Sequence, residues 1–222
     1  VNKWIMINKI FDNLKTLLIA LFIAVLIRSL FFQPFYIPSS SMEPTLLVGD
    51  RIFVSKYSYG YSKHSFPFSP PIFSGRIFYS KPNYGDLVVF KTPSDNRTDF
   101  IKRLIGFPGD EVQFKNGELI INNKIIFKKK TIFRSDIRCA NNDIEVTEFI
   151  EENINQKSYK IVYKNQGSMI NTDLYKVPEN HFFFLGDNRD CSSDSRFLSN
   201  VGYVHENNLV GKARLIFFSN DT

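Results

Sequence analysis

The sequence predicts a mostly β protein: an antiparallel β-sheet domain preceded by one N-terminal transmembrane helix. Three observations carry this expectation. Residues 14 to 32, LKTLLIALFIAVLIRSLFF, form one long apolar run. Beyond it, short runs rich in Val, Ile, Phe and Tyr recur roughly every 8 to 15 residues between Gly-Asp, Pro and Asn turn signals. No sustained helical period follows residue 32. The chain has 222 residues, 43% of them hydrophobic, enough for one domain with a buried core and an appendage.

The apolar run comes first. A helix of about 20 residues crosses a hydrocarbon core of ~30 Å. Residues 14 to 32 reach that length if Lys15 and Arg28 extend toward opposite interfaces. A cleavable leader is the competing reading, but no small-x-small site follows and Arg28 interrupts where one would begin. Lys3, Lys9 and Lys15, offset only by Asp12, favour a cytoplasmic N-terminus. The expected organisation is a short cytoplasmic segment over 1–13, an anchor over 14–32 and an extracytoplasmic β-rich domain over 33–222.

Within that domain, LVVFK after Gly85-Asp86, FIKRLI after Asp99 and EVQF after Gly109-Asp110 read as strands. Residues 117–127, GELIINNKIIF, read as two short strands joined by a tight Asn122-Asn123 turn. Further strands are expected at 159–164, 181–186 and 209–218. Two stretches break the rhythm. Residues 57–84 are rich in Tyr, Phe, Ser and Pro, which excludes a central strand and leaves a surface excursion or an aromatic loop at a lipid interface. Residues 134–156 are polar and acidic and read as a loop or accessory insertion.

Composition excludes several classes. Net charge is +6 and the isoelectric point about 9.2. Yet the basic residues are scattered, and Lys128-Lys129-Lys130 is the one dense block. No zinc-finger spacing, aromatic RNP pattern or basic helix accompanies them, so nucleic acid is not an expected partner. A solvated surface or anionic lipid accounts for the charge more simply. Cys139 and Cys191 lie far apart with no Cys/His cluster, so no metal site is expected. A single disulfide and two free thiols both remain open.

The common hydrolase signatures are missing: there is no G-x-S-x-G, no H-E-x-x-H and no S-x-x-K. His64, His181 and His205 have no triad context, so histidine is not assigned as a base. Lysine can serve if burial lowers its pKa from about 10.4 toward 8, which costs roughly 3 kcal/mol. Lys102 fits best. Strand alternation puts it on one face with Phe100 and Leu104, while Ile101, Arg103 and Ile105 point the other way. Taken alone, that strand suits an edge lysine placed against aggregation even better. Two other stretches bear on the choice. IPSSSMEPTLLVGD, 37–50, holds a serine run between two backbone-restricting prolines, and FFFLGDNRDCSSDSRF, 182–197, runs from an apolar strand into dense polar residues.

Together these stretches resemble the type I signal peptidase family, membrane-anchored Ser–Lys endopeptidases. IPSSSMEPTLLVGDRIFV resembles the nucleophile box, FIKRLIGFPGD the lysine box with GDLVVFK leading to it, and GDNRDCSSDSR the late box. The agreement in order and spacing runs from about residue 14 to 215. The resemblance implies that Ser41 is the nucleophile and Lys102 its general base. It implies that the Ser39 hydroxyl helps the Ser41 N–H hold the oxyanion, and that Ser192 hydrogen-bonds and orients the lysine. Asp187, Arg189, Asp194 and Arg196 would brace the site. Phe35, Ile37, Pro38, Phe100 and Ile101 would bind the substrate and line shallow pockets. Ser40 stands where bacterial members often carry Gly, a small residue in either case.

The resemblance further implies removal of signal peptides from secreted preproteins after small-x-small sites such as Ala-x-Ala, with no metal or cofactor. The expected partners are these preproteins and the lipid bilayer, and the expected location is the bacterial plasma membrane with the catalytic domain on the periplasmic side. Self-cleaving repressors share this type of catalytic domain but carry a DNA-binding helical domain that nothing here resembles. A specialised relative that processes one pilus or conjugation substrate stays open at this point. So does a catalytically silent binding module, which would require the nucleophile or the base to be missing.

Overall fold

The computed structural model describes residues 2–71, 73–139, 142–164 and 170–219. Helix α1 spans Asn2–Leu30. Its 25-residue stretch Met6–Leu30 is long and apolar enough to cross a membrane, and its most apolar window buries nothing against the domain. The helix thus begins before and ends just inside the apolar run at 14–32. It stops because Pro34 pushes Gln33 into extended backbone, and the chain enters strand β1 (Phe32–Tyr36) directly.

Strands β2 (Arg51–Ser55), β3 (Leu87–Lys91), β4 (Asp99–Gly106) and β5 (Glu111–Lys115) follow, then β6 (Glu118–Ile121) and β7 (Lys124–Ile125). After them come β8 (Lys128–Cys139), β9 (Asn142–Glu152), β10 (Ser158–Lys164) and β11 (Tyr175–Lys176). The chain closes with β12 (His181–Leu185), β13 (Val204–His205) and β14 (Leu209–Phe218). One sheet has the order β1-β2-β14-β3-β4-β12-β13, a second β11-β5-β6-β7 and a third β10-β9-β8. Every strand pairing is antiparallel. Pro34 sits in β1 at the margin of the large sheet, where a residue without an N–H does least harm.

The run Phe182-Phe183-Phe184-Leu185 is apolar on both faces because β12 separates two cores. Phe182 and Phe184 pack with Val88, Phe90 and Leu104, whereas Phe183 and Leu185 pack with Ile105, Val112 and Phe114. A third cluster joins Ile37, Met42, Leu46, Ile52, Val54 and Val89. Each fully buried side chain of this size contributes about 1.5–3 kcal/mol. The Asn122-Asn123 turn forms as expected, both residues at positive φ (52° and 62°) between β6 and β7.

Of the two readings of 134–156, the loop gives way to β-structure in a separate sheet. The long hairpin β8–β9 runs through it and β10 extends the sheet. Two of its acids, Glu148 and Glu151, are buried rather than solvated. Residues 57–84 contain no named strand, but the segment is anchored. The Tyr61 hydroxyl donates to the Leu30 carbonyl at 2.8 Å. The Arg76 guanidinium donates to the Gly60 and Glu206 carbonyls, each at 2.8 Å, and also to that of Leu209. Phe68 and Phe78 stay exposed.

Candidate active site

The serine run folds into a single 3-10 turn, Ser40–Met42, entered from extended Ser39. Met42 is fully buried in the third cluster and fixes the turn from below. On the other side, the Asn188 backbone N–H donates to the Ser41 carbonyl and its side-chain amide to the Ser40 carbonyl, both at 3.2 Å. Ser41 and Ser40 are buried, and the Ser39 and Ser41 hydroxyl oxygens lie 3.2 Å apart.

Lys102 enters from the middle of β4, paired with Val88. Its Nζ is 2.7 Å from the Ser41 hydroxyl and 3.0 Å from the Ile101 carbonyl, and 5.2 Å from the centre of the Phe100 ring. Among the described residues it forms no ion pair. Burial lowers its pKa to about 8, while the more distant Asp194 and Asp187 pull the other way. A cation with no contacting carboxylate loses hydration that nothing replaces, so the neutral amine becomes accessible near neutral pH. An uncharged amine can accept a proton from the hydroxyl beside it.

The late box surrounds this pair with buried ion pairs. Asp187 accepts from Arg103 Nε at 2.7 Å and Nη2 at 2.5 Å, and from the Thr45 hydroxyl at 2.5 Å. Asp194 accepts from Arg196 Nε at 2.8 Å and Nη2 at 2.9 Å, and from the Gly186 N–H at 3.0 Å. Arg196 also donates to the Arg189 carbonyl. Arg189 in turn forms a bidentate pair with Glu151 of β9, at 2.7 and 2.5 Å, and donates to the Gly186 carbonyl at 3.1 Å. Tyr159 of β10 donates to the same Glu151 at 2.6 Å, and the Arg103 guanidinium stacks 4.0 Å over its ring. The hairpin beyond β8 is therefore part of the support of the site.

Ser192 behaves differently from the expectation. It is buried in the box, but among the described residues its hydroxyl has no hydrogen-bond partner, Lys102 included. It lies over Gly186 instead, 2.2 Å from where a Cβ on that glycine would stand. The Ser41 carbonyl lies 2.5 Å from the same point. Gly186→Ala is thus expected to push the Ser40–Met42 turn away from the late box. Activity should fall by more than about tenfold, as a shift near 1 Å does to a positioned nucleophile, and kcat should fall more than KM.

The five expected substrate-binding residues do not form one patch. Phe35, Ile37 and Ile101 meet in the third cluster, Phe100 packs on the opposite side against Phe90, and Pro38 is exposed. Cys139, at the end of β8, is bonded to Cys191 of the late box, with Cα atoms 5.4 Å apart. Across a separation of 52 residues, such a link removes about 4 kcal/mol of unfolded-chain entropy. Sequence reasoning missed Arg103, Thr45, Asn188, Glu151 and Tyr159. Arg103 carried one signal, an arginine alternating with apolar residues that requires a buried anion. Glu151 and Tyr159 carried none.

Residues 10–218 match the family described as signal peptidase, peptidase S26. The signal peptidase I of Rickettsia conorii is 42% identical over 208 residues, covering 89% of this chain and 75% of that protein. That of Rickettsia akari is 41% identical over the same extent. A crystal structure of a signal peptidase I from Enterococcus faecalis V583 shares 24% identity, covers 60% of this chain and 97% of that one, and has a TM-score of 0.35. The chain belongs to the S26 signal peptidase family and is a serine endopeptidase.

Proposed function

We propose that this protein removes N-terminal signal peptides from exported preproteins with a Ser41–Lys102 dyad, cutting after small-x-small sites. The observation that carries the reading is the 2.7 Å approach of Lys102 Nζ to Ser41 Oγ in a buried setting. Neutral Lys102 takes the Ser41 proton as the oxygen attacks the scissile carbonyl. The Ser39 hydroxyl and the Ser41 N–H receive the oxyanion, and each such donor is worth about 3 to 4 kcal/mol. Protonated Lys102 hands its proton to the leaving amine, and a water then deacylates Ser41 by the same route. His181 and His205 face one another, ring centres 5.0 Å apart, and take no part.

The sheet margins support an extended substrate. β1 is the terminal strand of its sheet, and β12 pairs with β4 only from Arg103 to Gly106, so among the described residues β4 has no second neighbour at Ile101 and Lys102. A peptide strand laid along these free edges has its backbone recognised, with Phe35, Ile37 and Ile101 toward one face of the sheet and Phe100 toward the other. The apolar helix fits a single-pass anchor. Residues 33–222 then form the catalytic domain on the periplasmic side of a bacterial plasma membrane, with the N-terminal residues cytoplasmic.

The reading is tested with the chain in detergent and a preprotein carrying an Ala-x-Ala site. Cleavage is expected after the second Ala and is expected to be lost when either Ala becomes Phe. Equal cleavage of the Phe variants would rule out the small-x-small assignment.

A further inference from the structure

A cavity of about 820 Å³ lies beside the dyad's sheet, bounded by the last turn of α1, β1, the Lys63–Ser65 turn and the β3–β4 loop. Its lining is unusually basic. Arg28, Lys56, Lys63, Lys91 and Arg97 stand against Asp95 and Asp99. The two acids are already engaged. Asp99 pairs with Lys91 at 2.9 Å, and Asp95 accepts from the Thr92 and Thr98 hydroxyls and from the Arg97 and Thr98 N–H groups. Arg28, Lys56, Lys63 and Arg97 have no ion-pair partner among the described residues.

Two buried groups are left incomplete. Lys56 is 2% exposed, and among the described residues its ammonium donates only to the carbonyls of Ser65 at 2.9 Å and His64 at 3.5 Å, which leaves a third donor unused there. Burial lowers its pKa to about 8; Asp99 opposes that shift, and Arg28 nearby adds to it. His64 is 4% exposed, with Nδ1 2.9 Å from the Ser69 hydroxyl and Nε2 buried without a partner among the described residues. A buried polar atom without a partner is rare in folded proteins. A cation with no acid beside it is the arrangement that an incoming anion completes.

We infer that this cavity binds the phosphate of an anionic lipid head group, held by Arg28, Lys56 and Lys63 with His64 beneath. Its position favours a lipid over a soluble anion. Arg28 belongs to the last turn of α1, and the apolar span ends at Leu30, so the cavity stands at the depth where head groups begin. Phe35 also lines it, which sets the bound lipid next to the proposed substrate strand. The inference rests on α1 spanning the bilayer and is independent of the Ser41–Lys102 assignment.

The test is calorimetric binding to the full chain in a neutral detergent, a readout that needs no cleavage. The probes are dihexanoyl phosphatidylglycerol, dihexanoyl phosphatidylcholine, glycerol 1-phosphate and a glutamate-rich peptide. Phosphatidylglycerol is expected to bind more tightly than phosphatidylcholine. Loss of two charge-assisted contacts in Arg28→Gln/Lys63→Gln, both exposed positions, is expected to weaken it by about tenfold or more. Lys124→Gln, exposed on β7, should leave it unchanged. Lys56→Met should abolish it. Glycerol phosphate binding as tightly as the lipid would support a phosphate site filled from solution; weaker binding would assign the site to the membrane. Equal affinity for the two lipids, an unchanged double variant, or tighter binding of the acidic peptide would overturn the inference.

Discussion

Ser41→Ala is expected to lower kcat by about 10⁴-fold or more, since removal of a nucleophile leaves only binding and oxyanion stabilisation. Lys102→Met should fall by a similar factor, because the 2.7 Å contact with Ser41 makes the two a unit, and the double variant should be no worse than either. Stability should move the other way. A lysine whose pKa falls from 10.5 to about 8 on burial destabilises the fold by roughly 3 kcal/mol below pH 8. The sign follows from proton counts: between the two pKa values the unfolded chain binds more protons, so stability rises with pH there. Lys102→Met should therefore melt higher than the parent at pH 7, by an amount that vanishes above about pH 10.5. Equal melting at pH 7 would mean that the lysine is not desolvated.

The second large effect is structural. Arg189 is 1% exposed, and Glu151 is its one carboxylate partner among the described residues. Glu151→Ala leaves that guanidinium buried and uncompensated, and is expected to cost about 3–5 kcal/mol. Thermal unfolding in detergent reads the loss, and Arg189→Met placed in the same chain should recover much of it. Activity should fall with Glu151→Ala as well, because Arg189 donates to Gly186, which lies against the Ser41 carbonyl and whose N–H donates to Asp194. A loss below 1 kcal/mol would mean the hairpin is not tied to the late box as its contacts imply.

Local rules made much of this architecture readable. Alternation in FIKRLI gave Lys102 an apolar face with Phe100 and Leu104, and all three lie where that alternation requires. Asn122-Asn123 encoded its own turn, since Asn tolerates positive φ. The β-structure of residues 134–156 is hidden in the sequence for a reason that is not local. Glu148 and Glu151 resemble solvated surface acids until their partners, Lys160 and Arg189, are brought to them by folding. The Cys139–Cys191 bond was open for the same reason, because nothing near either cysteine indicates that β8 ends at the late box. The place of Ser192 in the box was legible, but its approach to Gly186 and the Ser41 carbonyl exists only in the folded chain.

The most direct measurement of the proposed chemistry is the pH dependence of kcat/KM on a preprotein substrate, which reports the free enzyme's base. Only neutral Lys102 can accept the Ser41 proton, so kcat/KM should climb along a single alkaline limb with its midpoint at about 8. Lys102→Met should remove both the limb and the activity. An optimum below about pH 6, or full activity retained in Lys102→Met, would contradict a lysine base.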